Sequence, residues 1–275
     1  MGIKFDEIGY WSEVKLDIIK EYATAYSTIM SRQPAIRAYY YVDAFAGAGI
    51  HISKTTRQPV PGSPVNALRI KPPFTAHYFI DLDGAKVDVL RRLAKGYPNA
   101  QIYEGDCNPI LRDRLLPQIR FKLYRRALCV LDPYGLHLDW DVIYMAGQSR
   151  AVEVFLNFPV MDMNMNILWT CPDKVDREQI TRMNRFWGDD SWRNAAYTKT
   201  PGLWEMIDEK NPNEAVAEAF RQRLKDVAGF KYVPSPIPMR NSRGSTVYYL
   251  FFASPNETGA KIVRDVFTKY KDRRA

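Results

Sequence analysis

The chain has 275 residues, 46% of them apolar and 25% charged, with a formal net charge of +8. Its longest apolar runs, such as residues 127–131, fall far below the ~20 residues that span a bilayer, and the first fifteen residues carry charges where a signal peptide needs an apolar core. These features argue against a membrane or secreted protein and lead us to expect a cytoplasmic one, with no membrane partner.

The three cysteines, Cys107, Cys129 and Cys171, are scattered and have no CxxC pairing, so they frame neither a disulfide scaffold nor a metal site, and no metal is expected. The positive charge suits an anionic partner such as nucleic acid, through counterion release and steering. It is equally compatible with a solvated basic surface.

In chain order, residues 11–32 place Val14, Ile18, Tyr22 and Ala25 at helical spacing and read as an amphipathic helix within an N-terminal helical extension, 1–35. From there strand and helix alternate. Strands are predicted around 38–45, 76–83, 100–106, 127–135 and 151–159, from short runs rich in β-branched and aromatic residues. Helices are predicted between them: a short one over 62–70, capped by Ser63 with Pro64 in its first turn, then 84–97, then one from Cys107 interrupted by Pro117, and one over 139–149. Residues 160–211 break the rhythm. They hold four of the six tryptophans, show no clear strand and read as a mostly helical insertion, whose aromatics could stack on bases or build a small core of their own. A helix over 213–230, a hairpin turning around 241–244 and a basic amphipathic helix from Thr258 complete the chain. The pattern predicts one α/β domain over 1–275, a doubly wound Rossmann-like sheet closed by a C-terminal antiparallel hairpin.

Each of the five strands ends in a polar residue: Asp43, Asp81 with Asp83, Asp106, Asp132 and Asn157. In open α/β sheets the ligand crevice lies outside those ends. The turn Asp43-Ala-Phe45-Ala46-Gly47-Ala-Gly49 lacks both the G-x-G-x-x-G fingerprint and the P-loop lysine, so it is not built to grip a pyrophosphate. A carboxylate leading into it favours a cationic or amino-bearing ligand. The glycines could instead serve only a tight turn.

Asp81 is placed to accept two hydrogen bonds from a ribose cis-diol, while Asp83 could cap the following helix. Asp106 suits an exocyclic amine or a helix cap. Asp132-Pro133-Tyr134-Gly135 combines an acceptor, a rigid proline and an aromatic ring, a kit for an amino group on a flat base, and is also a good generic turn. The histidines His51, His77 and His137 have no metal-ligand spacing and read as surface or loop residues.

The ordered set "DAFAGAG", "GSP", "IDLD", "EGDCN", "LDPYG" and "EVFLNFP", with "NRFWGDDSW" and "YYLFFAS" further on, resembles class I S-adenosylmethionine (SAM)-dependent methyltransferases, and more narrowly the three-Cys-motif partner proteins. The resemblance spans nearly the whole chain. It implies a seven-stranded sheet and SAM as cofactor, with Asp43 and the Phe45–Gly49 loop (Phe45, Ala46, Gly47, Gly49) at its amino-acid end, Asp81 at its ribose, and Asp106 with Cys107 at its adenine. Ser63 of the GSP segment joins this cofactor-binding set, and Asp132, Pro133 and Tyr134 would face a nucleic-acid or nucleotide-like acceptor. It also implies a three-Cys-motif partner protein, whose cysteines are not those of this chain. One departure stands out. Amino-methyltransferases typically carry [DNS]-P-P-[YFW], whereas here Gly135 occupies the aromatic's place, which counts against amine methylation. A non-catalytic SAM-fold adaptor serving the partner is the alternative.

Overall fold

The computed structural model describes residues 5–201 and 206–271. The elements run β1 (Glu7–Ile8), α1 (Tyr10–Ser31), β2 (Ala38–Asp43), β3 (Ile50–Ser53), β4 (Pro59–Pro61), α2 (Ser63–Leu68), β5 (Ala76–Asp81), α3 (Gly84–Leu93) and β6 (Ala100–Glu104). They continue α4 (Cys107–Pro109), β7 (Arg125–Leu131), α5 (Trp140–Gln148), β8 (Val152–Phe158), α6 (Val160–Asn166), α7 (Arg177–Trp187) and α8 (Trp192–Ala196). Last come β9 (Tyr197–Pro201), β10 (Met206–Lys210), α9 (Asn213–Asp226), β11 (Ile237–Arg240), β12 (Thr246–Ala253) and α10 (Glu257–Lys271). Among the described residues, no helix is long and apolar enough to cross a membrane.

Seven strands form one sheet in the order β11-β12-β8-β7-β2-β5-β6. Strands β6, β5, β2, β7 and β8 are parallel, and β12 runs antiparallel to both β8 and β11. This is the Rossmann-like sheet of the class I methyltransferase type, closed by an antiparallel hairpin as the sequence implied. The chain proceeds from β2 outward to β5 and β6, then returns to place β7 on the other side of β2. The topological switch point therefore lies between β2 and β7, where such sheets bind ligands.

Both faces are covered, which is why the central strands read as nearly continuous apolar runs. On β8 the side chains alternate as the pleat demands. Val154, Leu156 and Phe158 enter the core under α5 to α9, whereas Phe155 enters the core under α1, α2 and α10. Phe220 of α9 anchors the first core, its ring 4.7 Å from Phe158 and 5.6 Å from both Phe186 and Phe251. Tyr22 of α1 anchors the second, against Phe155 and Phe252. Thus α1 belongs to the main packing.

Several expectations need correction. Segment 160–211 holds a strand pair, β9 with β10, besides α6, α7 and α8. Trp187 and Trp192 are buried in the first core and only Trp169 is substantially exposed; Trp204 lies outside the described residues. The helix expected from Cys107 breaks into α4, a π-helical stretch at Ile110–Leu115 and a single 3-10 turn at Leu116–Gln118, because Pro117 cannot donate to a continuing helix. A second small sheet, β1-β3-β4, joins the start of the chain to the segment after the glycine turn.

Candidate functional site

The carboxylate-bearing strand ends meet around the switch point. Asp43, the last residue of β2, is fully buried. Its Oδ2 accepts from the Ser63 hydroxyl and its Oδ1 from the Phe45 N–H at 3.2 Å. Burial pushes its pKa up to about 7 in spite of those two donors, and the carboxylates of Asp132 and Asp81 add to the effect. Ser63 does not cap α2. Gly62 holds the cap position without a side-chain bond, and Ser63, the first helical residue, turns to Asp43 instead.

The glycine turn is tied to the neighbouring strands through its backbone: Ala44 N–H donates to Val130 O, Ala46 N–H to Ile80 O, and Gly47 N–H to Asp81 Oδ2 at 2.7 Å. Gly47 needs its left-handed φ of 61°, and the space beside its Cα is open. The space beside Gly49 is not free, since a Cβ there would sit 3.1 Å from Leu90 and 3.3 Å from Val65. Of the two glycines, only Gly47 leaves room for a ligand.

Asp81 accepts from Gly47 N–H and, through Oδ1, from Asp83 N–H, so its two oxygens are fixed in direction with lone pairs to spare. Asp83 caps α3, accepting from Ala85 and Lys86 N–H groups. Asp106 accepts from the Asn108 N–H at α4. The buried Asn108 side chain binds Asp106 Oδ1, His137 O and the Asp139 N–H, lashing the end of β6 to the loop after β7. Sequence reading did not single out this residue.

Between these loops lies a cavity of about 250 Å³, lined by Phe45, Leu82, Asp106, Cys107, Leu136 and His137 and bordered by Arg182 and Arg185 of α7. That is just below the ~300–1,000 Å³ of clefts that take whole small ligands. Its apolar walls and acceptor oxygens suit a flat, amine-bearing ring. Burial, then the Asp106 carboxylate, pushes the Cys107 thiol up to about 12, so it stays a neutral wall residue.

Asp132, just past β7, carries an ion pair from an element far away in sequence: Lys15 of α1, itself buried, donates to its Oδ2. Burial opposes the lysine's charge, but the Asp132 carboxylate beside it holds its pKa above the ordinary value. The Lys15 ammonium also lies 5.2 Å from the Tyr248 ring.

Tyr134 is 91% exposed and touches no such network. Gly135 has a φ of 65°, and a Cβ there would lie 3.2 Å from both Arg182 and Asp162. The pair from α6 and α7 thus presses against the position an aromatic would fill in the amine motif. The two side chains approach to 3.5 Å, yet Asp162 Oδ2 and Arg182 Nε are buried without hydrogen-bond partners.

His137 is exposed in the loop after β7 as expected, but the other two histidines fall otherwise. His77 is buried within β5, its Nε2 3.3 Å from Ala67 O, and burial lowers its pKa to about 4. His51 sits on β3 beside the rim. Burial and then the Lys15 ammonium lower its pKa, and its Nδ1 is buried without a partner. Among the described residues no cluster of His, Cys, Asp and Glu could hold a metal ion.

No family model and no curated protein matches the chain. Solved structures do. A Legionella pneumophila protein of the DUF519 family is similar over 93% of this chain and 92% of its own, with a TM-score of 0.53 at 11% identity. A Leishmania major SAM-dependent methyltransferase (87% and 72% covered, TM-score 0.40, 10% identity) and an O-methyltransferase family protein from Burkholderia thailandensis (87% and 58%, TM-score 0.34, 14% identity) are similar more distantly. By its strand order, β11-β12-β8-β7-β2-β5-β6, the chain has the fold of the class I methyltransferases.

Proposed function

We propose that the chain is a SAM-dependent methyltransferase acting on a nucleic-acid or nucleotide-like acceptor. The observation that carries this reading is the convergence of Asp43, Asp81, Asp106 and Asp132 on the switch-point crevice, beside an apolar-walled pocket and a glycine turn open at Gly47. The residues fit the cofactor. Asp43 is a buried carboxylate whose burial a cationic amino-acid end would offset, and Asp81 offers oriented oxygens to a diol. Phe45, Leu82 and Leu136 offer a slot for a purine, with Asp106 to take its amine.

SAM supplies a methyl group already activated on a sulfonium, so the protein's work is placement and exclusion of water rather than heavy acid–base chemistry. Lys15 orients the Asp132 carboxylate at the acceptor side, and Pro133 stiffens the backbone there. Arg182 and Arg185 at the pocket's edge are held by carboxylates of their own, Asp162 and Asp139. Asp162 and Arg182 pair with each other at 3.5 Å beside Gly135, so they shape the wall there. With Gly135 in place of an aromatic and the Arg182–Asp162 pair packed against it, the acceptor is a target other than the amine that the aromatic motif serves.

Calorimetry with SAM and S-adenosylhomocysteine tests the pocket, and failure to bind either refutes the reading. Asp81→Ala weakens binding by ~1–3 kcal/mol, the cost of unpaired hydroxyls. A tritiated-methyl assay over RNA, DNA and protein fractions then tests turnover, and Asp132→Ala abolishes labelling while leaving cofactor affinity intact.

The second reading is a non-catalytic SAM-fold module that serves a three-Cys-motif partner. It draws on the commitment of Asp132 to Lys15 and the exposure of Tyr134. SAM binding without labelling of any fraction supports it.

A further inference from the structure

The opposite end of the sheet carries a second concave surface, which methyl transfer does not use. A cavity of about 620 Å³ opens among the C-terminal half of α1, the starts of β7 and β8, and the N-terminus of α10. A cleft of about 530 Å³ adjoins it, and Phe121 and Arg150 line both. We propose that this furrow binds a single strand of nucleic acid, with one phosphate seated in the cavity by Arg126, Arg150 and the α10 N-terminus, and with bases stacked on Phe121 and Tyr144.

Charge is the first support. Arg37, Arg120, Lys122, Arg125, Arg126 and Arg150 cluster around the loop before β7 and the turn before β8, and among the described residues none forms an ion pair with a carboxylate. The Arg126 guanidinium is half-buried. It bonds only to main-chain oxygens of Arg125 and Phe121 and lies 4.2 Å from the Phe121 ring. The two glutamates on the cavity are already engaged, Glu153 by the hydroxyls of Tyr22 and Ser254 and Glu257 by Lys261.

A buried polar atom without a partner is the second support. Tyr26 lines the cavity at 3% exposure and its hydroxyl has no hydrogen-bond partner. A phosphate oxygen would satisfy that donor, and the dipole of the fifteen-residue α10, whose Thr258 N–H is already capped by Asn256 Oδ1, favours the same charge.

The third support is aromatic. Phe121, Tyr124 and Tyr144 are 55%, 48% and 43% exposed, interleaved with the cations, and such rings stack on unpaired bases of any sequence. A duplex offers no free base faces to them, and an acidic polypeptide would match the charge but make no use of the rings. The furrow lies about 20 Å from the cofactor rim, one strand length away, so the inference does not depend on the methyl-transfer reading.

Fluorescence anisotropy on the intact chain with fluorescein-labelled single-stranded RNA and DNA of mixed sequence tests it. The strands bind, and more weakly as salt rises. Lys122→Glu with Arg150→Glu lowers affinity at least ~10-fold, and Phe121→Leu, at an exposed site, lowers it by about 5- to 100-fold through lost stacking. Melting temperature and SAM calorimetry are unchanged in these variants. Absence of binding by the wild type, undiminished binding by the variants, or equal binding of a labelled duplex or of polyglutamate overturns the proposal. Loss of SAM binding with strand binding intact counts against the methyltransferase reading alone.

Discussion

Asp43 gives the sharpest test of the rim, because its burial makes both stability and ligand affinity pH-dependent. Its carboxyl stands at about 7 in the folded protein against an ordinary 3.8. A carboxyl raised in this way is protonated in the native state and ionised in the unfolded one throughout that window. Its contribution is therefore fully present below the unfolded value, falls as pH rises from about 4, and is lost once pH passes about 7. Three pH units at 1.36 kcal/mol each make the wild type lose about 4 kcal/mol from this group over that interval.

Asp43→Asn keeps the shape and removes the titration. The difference in urea unfolding free energy between variant and wild type should shift in the variant's favour by about 4 kcal/mol from pH 4 to pH 7.5. Affinity for a cationic ligand runs the other way: below pH 7 the wild type must first ionise Asp43, so SAM binding weakens about tenfold per pH unit, and in the variant that dependence disappears. Parallel stability curves, or wild-type SAM affinity that stays flat between pH 5 and 7, would refute the assignment of a buried, ligand-facing carboxyl.

Three further outcomes follow from the packing. Lys15→Met removes the partner of Asp132, and because that carboxylate is about one-third exposed the loss of stability should be ~1–3 kcal/mol, below that of a fully buried pair, with most of it absent in the Asp132→Asn background when denaturant melts complete the double-mutant cycle. Gly135→Ala forces a side chain into the left-handed region and against Arg182 and Asp162; it should cost ~1–2 kcal/mol in thermal unfolding and lower methyl transfer with SAM affinity retained. Phe220→Ala should cost ~3–5 kcal/mol in the same melts, since the ring touches Phe158, Phe186 and Phe251 at the centre of one core.

What the sequence alone determined is what neighbouring residues decide. The strands of the parallel sheet, the candidacy of Asp83 as a helix cap and the doubly wound pattern follow from apolar runs, period and local hydrogen-bond chemistry, each complete within a few residues. The carboxylates at the strand ends were legible for the same reason, since a strand's last residue must lie at the sheet's rim. Tertiary structure alone decided which distant groups those carboxylates meet. Lys15 reaches Asp132 across 117 residues, the Ser63 hydroxyl at the start of α2 turns to Asp43, and Arg182 with Asp162 claims the space over Gly135. Pairing of β1 with β3 and of β9 with β10 was likewise hidden, because two- to five-residue strands carry too little pattern of their own and gain their hydrogen bonds only when the chain returns. No period marks such contacts, since burial and charge are settled by every element packed around a site at once.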